Sequence, residues 1–385
     1  MAIYLDNSAT TPVDPRVVAA MEPWHAQAFG NPSSLHTLGR QARDAVDAAR
    51  AQVAALLGAR PREIVFTASG TEADNLALAA AVGASGSGHL VTSAIEHPAI
   101  LETARALQRR GVAFTSVPVD ADGLVDPAVV RDSIEPHTRM VSIMAANNVI
   151  GTIQPVTEIG QAAREAGALF HTDAVQAVGK APFNLAEQPI DLLSLSAHKL
   201  HGPKGVGALY VRDGVTLSPI IHGGGQERGL RSATENVAGI VGFGVAAELA
   251  AAEMADDNLR LTALRERLIA GILSACPQAY LIGHRQRRLP GHVCLGFAGQ
   301  EGEAIRLLLA LDEAGIMAST GSACSASHAA EPSYVLRALG FDPFRARGAL
   351  RLTLGRFNTE AEVDRTIDIL PTLVGGLRRI ATARR

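Results

Sequence analysis

Two stretches decide the fold: residues 168–173, ALFHTD, and residues 192–211, LLSLSAHKLHGPKGVGALYV. Ala168–His171 and Leu192–Ser196 are apolar runs with little polar interruption, the pattern of strands covered on both faces. Each run ends in residues able to carry chemistry, Asp173 in one case and Ser196, His198 and Lys199 in the other. Only ten residues separate Ser196 from Gly207, around a Gly and Pro turn, too few for a helical crossover. Gly207–Val211 is therefore expected to be an antiparallel member of the sheet.

Upstream, similar runs at Ile64–Phe66, His89–Ile95, Ala113–Val119 and Met140–Ala145 take turns with helical patterns. Over residues 36–57, Leu38, Ala42, Val46, Ala49, Val53 and Leu57 recur at steps of three and four, which predicts a long helix with one buried face. Strands alternating with helices call for right-handed crossovers and a mostly parallel sheet, so the class is α/β. An Ala-rich helical stretch over residues 235–275 passes the polar segment Asp256, Asp257 and Asn258, where a domain boundary is expected. Beyond it the order starts afresh: strand His292–Phe297, helix Glu301–Ala314, a Ser and Ala loop, helix Pro332–Leu339, strand Leu350–Leu354, then a helix from Thr359 that Pro371 is expected to kink.

The 385 residues are 47% hydrophobic and 19% charged, which excludes wholesale disorder. A formal charge of -3, with one Trp, four Tyr and ten Phe, argues against a nucleic-acid partner. The apolar stretch Val237–Ala247 reaches 11 residues before Glu248, short of the about 20 that span a bilayer, so no membrane segment is expected. The first residues, MAIYLD, show no leader pattern, and a cytoplasmic location is expected. Cys276, Cys294 and Cys324 are an odd number spread far apart, which fits neither a disulfide framework nor paired metal ligands.

Lys199 at a strand end is either a solvated cation or an amine poised to join a carbonyl as a Schiff base. Asp173 ends a neighbouring strand, where ligands of parallel sheets sit, and a carboxylate there wants a cationic partner. Pyridoxal phosphate would satisfy both, its ring nitrogen pairing with the Asp and its aldehyde taking the lysine. A helix N-cap is the other reading of Asp173. Ser69, Gly70, Thr71 and Glu72 follow a strand and open a helix, the right place for a phosphate, although strand, Gly turn and helix are often merely structural. Gly223–Gly225 opens no GxGxxG helix, so a dinucleotide site is rejected. His97 sits after the strand ending at Ile95, either reaching the same sheet edge or idle at a helix start. His198 and His201 have a ligand-like spacing, but no cluster supports them, and no metal site is expected. Cys294 lies in an apolar strand, and Cys276 ends a helix before Pro277. Cys324 is surrounded by Ser319, Thr320, Gly321, Ser322, Ala323, Ser325, Ala326 and Ser327, which predicts an exposed, mobile loop suited to a nucleophile, or an idle surface thiol.

Taken together, YLDNSATT (residues 4–11), GNPSSLH (30–36), TEADN (71–75), Glu96 with His97, HTDAVQ (171–176), HKLHGPKGVG (198–207), GGGQE (223–227), Arg231–Thr234, GSACS (321–325) and RLTLGRF (351–357) resemble a cysteine desulfurase of the NifS/IscS type, in the class V aminotransferase family. The resemblance runs over almost the whole chain. It implies fold type I of the pyridoxal-phosphate-dependent transferases: a large domain, residues 15–255, with a mostly parallel seven-stranded sheet between helices, and a smaller α+β domain, residues 1–14 and 256–385, carrying the Cys324 loop.

The same resemblance implies that Lys199 joins the cofactor aldehyde, His97 stacks on its ring, Asp173 pairs with the ring nitrogen and Gln176 bonds its phenolic oxygen. Gly70, Thr71, Ser196 and His198 would contact the phosphate, with Thr234 reaching across from the other subunit of a homodimer. Asn148 and Arg351 would hold the substrate, L-cysteine. Cys324 would take the sulfur as a persulfide, with L-alanine released, and pass it to an acceptor such as an iron-sulfur scaffold, possible transient cluster ligation by Cys324 included. Two departures stand out. Val149 replaces the family's Glu after Asn147 and Asn148, which puts rate and substrate preference in question, and Ala233 replaces its Gly before Thr234. Arg378, Arg379, Arg384 and Arg385 at the last helix read as partners of its dipole or of the acceptor. Rival readings are a selenocysteine lyase, aminotransferase or β-elimination lyase on the same cofactor, and a non-catalytic cofactor-binding partner subunit.

Overall fold

The structure, a computed structural model, describes residues 2–82, 87–300, 303–320 and 332–382. After β1 (Ile3–Tyr4), the strands β2 (Ile64–Thr67), β3 (His89–Ser93), β4 (Ala113–Val117), β5 (Thr138–Ser142), β6 (Leu169–Asp173), β7 (Leu192–Ser196) and β8 (Gly207–Val211) enter the chain in turn. β2 to β8 form one seven-stranded sheet in the order β2-β8-β7-β6-β5-β3-β4. All neighbours in it are parallel except those of β8, which runs antiparallel to both β2 and β7. The short Gly and Pro connection thus sets the one reversed strand, as its length required.

Alternation along these strands sends side chains to two separate cores. Val91, Val141, Phe170, Leu193, Leu195 and Ala208 face one side, packed with Val46, Ala49 and Val53 of α3 (Thr37–Leu56) and Phe243 and Ala247 of a long helix described below. Leu90, Met140, Leu192 and Leu209 face the other, against Leu76 and Leu78 of the helix Gly70–Val82 and Ile100 and Leu107 of the helix Pro98–Gln108. α1 (Pro15–Met21) and α2 (Pro23–Ala26) precede α3 in the chain; α4 is Gly70–Val82, α5 Pro98–Gln108, α6 Pro127–Asp132 and α7 Val156–Glu165.

A third core lies beyond the sheet. β9 (Ala279–Leu281), β10 (His292–Phe297), β12 (Ser319–Thr320) and β13 (Leu350–Thr353) form an antiparallel sheet in the order β12-β13-β10-β9, and β1 pairs in parallel with β11 (Ile316–Met317). Ile3 and Leu5 pack here with Val293, Leu295, Leu352, residues of α9 (Ala304–Glu313), and Val363, Leu370 and Val374 of α11 (Glu360–Thr382). α10 (Tyr334–Ala338) lies between α9 and α11 in the chain. α11 continues through Pro371. The ring there removes the hydrogen bond to the Ile367 carbonyl.

α8 (Val237–Ala275) is a single helix of 39 residues. Its first half sends Ile240, Phe243, Ala246, Ala247 and Ala250 into the core of the large sheet, and its second half sends Leu261, Leu264, Leu268 and Ile272 into the third core. Gly244 permits the close approach of α3, since a Cβ there would stand 2.6 Å from the Ala49 Cα. By length and composition α8 is apolar enough to cross a bilayer, which differs from the expectation built on the 11 residues before Glu248. Half of its most apolar window is buried inside the protein, so a core helix accounts for that composition.

Phe243 is 0% exposed and its ring centroid lies 6.3 Å from that of Phe66. Phe243→Ala is expected to destabilise the protein by about 3–5 kcal/mol through the cavity it leaves. Leu259→Ala, on the same helix but 77% exposed, should shift stability by less than about 0.5 kcal/mol. Urea unfolding midpoints of the two variants against the parent check the contrast.

Candidate active site

The carboxyl ends of β6 and β7, the start of α4 and the segment after β1 enclose a cavity of about 320 Å³. Its wall includes Lys199, Asp173, His97, Gln176, Asn148 and Arg351, and at the helix start Gly70 and Thr71 with Ser196 and His198 opposite. All the residues named for the cofactor and substrate therefore meet in one place, with two exceptions. Thr234 is exposed on this chain and does not line the cavity. Cys324 lies outside the described residues, as do Arg384 and Arg385.

Local sequence explains each placement. β6 and β7 are in parallel register with Asp173, the last residue of β6, opposite Ser194, so β7 runs two residues further and carries Ser196 and then Lys199 past the carboxylate. Asp173 caps no helix; its Oδ1 accepts from the Val175 amide at 2.9 Å in a tight turn. Lys199 closes a one-turn helix, Ala197–Lys199, and its Nζ donates to the carbonyls of Ser8 at 2.6 Å and Ala9 at 2.7 Å. The chain then reverses at His201, which holds a positive φ of 62° and is anchored by its amide on Thr11 Oγ1 and by its ring on the Pro12 carbonyl. His198 Nδ1 bonds Thr10 Oγ1 at 3.1 Å, so the two histidines are tied to separate partners in the 10–12 segment. His97 is the N-cap of α5, its Nδ1 accepting from the Ala99 amide at 3.1 Å, with Pro98 at the first helical position. Here capping and facing the cavity are both true of one residue.

At the start of α4 the Glu72 amide donates to Ser69 Oγ and the Ala73 amide to the Ser69 carbonyl, so the Gly70 and Thr71 amides are the first-turn donors left for a ligand of the cavity they line. A Cβ on Gly70 would stand 2.6 Å from Val175 Cγ2, so this approach requires glycine. Gln176 lines the cavity while its Nε2 donates to the Ser8 carbonyl at 2.9 Å and its Oε1 accepts from Ser8 Oγ at 3.1 Å. At the far end Arg351, 1% exposed, donates through Nη1 to the Asn148 carbonyl at 3.0 Å and through Nη2 to Asp6 Oδ1 at 2.8 Å. Its Nε and the Asn148 Oδ1 are buried without a hydrogen-bond partner among the described residues. A donor and an acceptor kept in this state at a cavity wall fit a polar ligand that carries a carboxylate.

These donors suit pyridoxal phosphate. A helix start takes the phosphate, a buried carboxylate the ring nitrogen, and a lysine the aldehyde, in a volume of the size such ligands occupy. Ser8, Ala9, Asp6, Asp74, Met144, Ala146 and Val175 also belong to the site or its support and were not singled out from the sequence. Residues 6–9 reach it only because β1 joins a strand more than 300 positions away, Ile3 opposite Ile316. No local pattern signals that.

The two departures from the family pattern fall away from the cavity wall. Val149 is buried among Ile95, Met144, Ile282, Cys294, Val335 and Leu336, so its side chain is part of a core. Ala233 is exposed, and its amide donates to Gln226 Oε1 at 3.2 Å. The Val149 side chain itself is not part of the cavity wall, although it shares that core with Met144, which is.

Burial governs the site's ionisation. It lowers the His198 pKa to about 4, helped by Lys199, Lys204 and Lys180, that of His201 to about 4 and that of His171 to about 3. It raises the Asp173 carboxyl, against the opposing pull of His97, the Val175 amide and Lys199, and it raises Glu96 to about 8. A histidine neutral when folded contributes stability that is present above the unfolded pKa near 6.5 and lost as pH falls toward about 4. Glu96 has the opposite sign: its contribution is full below about 4.5 and lost as pH rises through about 8. Melting temperatures should therefore drop from pH 6.5 to 4.5, less steeply in His171→Gln and more steeply in Glu96→Gln, as thermal scans across that window will read.

Residues 3–366 match the family described as Aminotransferase class-V. A cysteine desulfurase of Gluconacetobacter diazotrophicus is 51% identical over 383 residues, covering 99% of this chain and 95% of the relative. The cysteine desulfurase IscS of Methanosarcina thermophila is 49% identical over 382 residues, covering 99% and 94%. The solved structure of a NifS-like protein superposes with a TM-score of 0.90 at 39% identity, over 97% of this chain and 100% of that one. With the cavity, its lysine and its carboxylate at the strand ends, these similarities place the chain in the class-V aminotransferase family, among its pyridoxal-phosphate-dependent cysteine desulfurases.

Proposed function

We propose that this chain is a cysteine desulfurase that removes sulfur from L-cysteine, releases L-alanine and holds the sulfur as a persulfide on Cys324. The observation that carries the reading is the convergence of Lys199, Asp173 and Arg351 on one cavity of about 320 Å³. Pyridoxal phosphate, when bound there, supplies a sink for the electron pair left behind as the substrate Cα loses its proton.

The chain's own residues do the rest. Arg351, with its unpartnered Nε, and Asn148 grip the substrate carboxylate and fix its orientation. Asp6 and the Asn148 carbonyl engage Nη2 and Nη1 of that guanidinium, which leaves Nε as the donor to the substrate carboxylate. The Lys199 amine, which lines the cavity, would be the base that accepts the Cα proton at Nζ. The Cys324 thiolate then attacks the substrate sulfur: an S–S bond forms, the substrate C–S bond breaks, and the carbon skeleton takes up protons and leaves as alanine. Ser319 pairs with Arg351 across β12 and β13, and Thr320 is four positions before Cys324.

The persulfide would pass to an acceptor protein, an iron-sulfur scaffold being the proposed one, and the cytoplasm is the proposed location. A homodimer is proposed as the working unit, and the exposed position of Thr234 suits a contact to the partner's phosphate.

Incubation of the purified protein with cysteine should yield alanine and a persulfide on Cys324. Cys324→Ala should keep the yellow colour of the bound cofactor and form no alanine; continued alanine formation would make the thiol a bystander, whereas pyruvate with free sulfide, or a 2-oxo acid that keeps its sulfur, would return the β-elimination and aminotransferase readings. Arg351→Ala should lower kcat/KM for cysteine by about tenfold to a hundredfold, the scale of one charged hydrogen bond, mainly through KM.

A further inference from the structure

Asp74 has no part in the chemistry above, yet it lies on the first turns of α4, lines the cavity and is 1% exposed. A carboxylate oxygen of Asp74, one of Asp173 and a ring nitrogen of His97 all lie within 4.8 Å of one another. Asp74 Oδ1 has no hydrogen-bond partner among the described residues. A third carboxyl, Glu96, is also fully buried nearby; its Oε1 accepts from Ser93 Oγ at 2.5 Å and from the Met144 amide at 3.0 Å.

Two carboxylates this close and this dry do not both ionise, because each charge is deprived of water and repels the other. The surroundings decide which keeps the charge. Asp173 has the Val175 amide on Oδ1 and the fields of His97 and Lys199 in its favour. For Asp74, burial, Asp173 and Glu96 all favour the acid form, and only the Ser194 hydroxyl opposes them. His171, whose Nε2 stands 3.7 Å from Asp74 Oδ1, does not supply a countercharge: burial keeps that imidazole neutral, and its ring nitrogens are already engaged by Ser142 and Ser194.

We propose that Asp74 is a positioning residue for the ring-nitrogen site, a neutral carboxylic acid that together with Asp173 holds a single negative charge and leaves that charge on Asp173. The floor of the cavity then presents one anion to the cofactor ring, fixed in place, with an uncharged acid behind it. The positioning role rests on the reading that the cavity takes pyridoxal phosphate with Asp173 at its ring nitrogen, whereas the protonation of Asp74 does not.

Infrared spectroscopy of the carboxylic-acid C=O stretch tests it on the full chain at neutral pH, with and without pyridoxal phosphate. Cofactor affinity is measured in parallel from the absorption of the Lys199-linked form. Asp74→Asn should remove one acid band in both states and change the Kd for pyridoxal phosphate by less than about threefold, since the amide is also neutral. Glu96→Gln should remove a different band, and Asp173→Asn should weaken the cofactor at least tenfold. Should Asp74→Asn fail to fold, Asp74→Ser serves the same comparison. An unchanged acid band in the variant overturns the proposal, as does loss of carboxylate intensity in its place or a Kd weakened more than tenfold. A lost acid band in a protein that takes up no pyridoxal phosphate overturns the positioning role and the cofactor reading, while leaving the proton on Asp74 established.

Discussion

The register between β6 and β7, with Asp173 opposite Ser194, is the constraint on which the site depends. Side chains along a strand alternate between faces, so a slip of one residue would turn Phe170 and Leu193 away from the core and change the offset between Asp173 and Ser196. The register is held by burial on both sides. Phe170, Leu193 and Leu195 face α3 and α8, whereas Leu192 faces α4 and α5. Apolar packing far from any chemistry thus sets the separation between the carboxylate and the lysine.

The second determinant is the return of the N-terminus. Residues 6–9 follow β1 out of the third core and run along the cavity, where the Ser8 and Ala9 carbonyls receive Lys199 and Asp6 pairs with Arg351. One short segment therefore touches the groups at both ends of the site, the lysine from the large sheet and the arginine from β13. Its carbonyls keep the lysine amine directed along the cavity wall, and its carboxylate keeps a nearly fully buried guanidinium from standing uncompensated.

The large sheet was legible because its strands are unbroken apolar runs and their connections have helical period. The reversed strand was legible from a loop too short for a helix. Lys199, Asp173 and Gly70 could be singled out because strand ends and helix starts are where such sheets bind ligands. What could not be read from local pattern was long-range. The two-residue strands β1, β11 and β12 are too short for periodicity, so the approach of Asp6 and Ser8 to the site left no trace in their neighbourhood. The place of Val149 was hidden for the same reason: it follows Asn148 in the chain, whereas a turn in which Asn147 Oδ1 accepts from the Val149 and Ile150 amides accompanies its burial in a core. The apolar character of α8 was cut short at Glu248, a residue that helical geometry places on the face exposed to solvent and to Gln52.

α8 threads both halves of the protein without a break. At 1.5 Å per residue its 39 residues extend about 58 Å, a rod seated at one end under the large sheet and at the other under the small one. Rotating one half against the other would bend this rod or pull one of its ends out of an apolar seat. Large hinge closure is therefore mechanically stiff, and access to the half-buried lysine falls to the short segments rimming the cavity, with the two halves acting as a fixed frame around them.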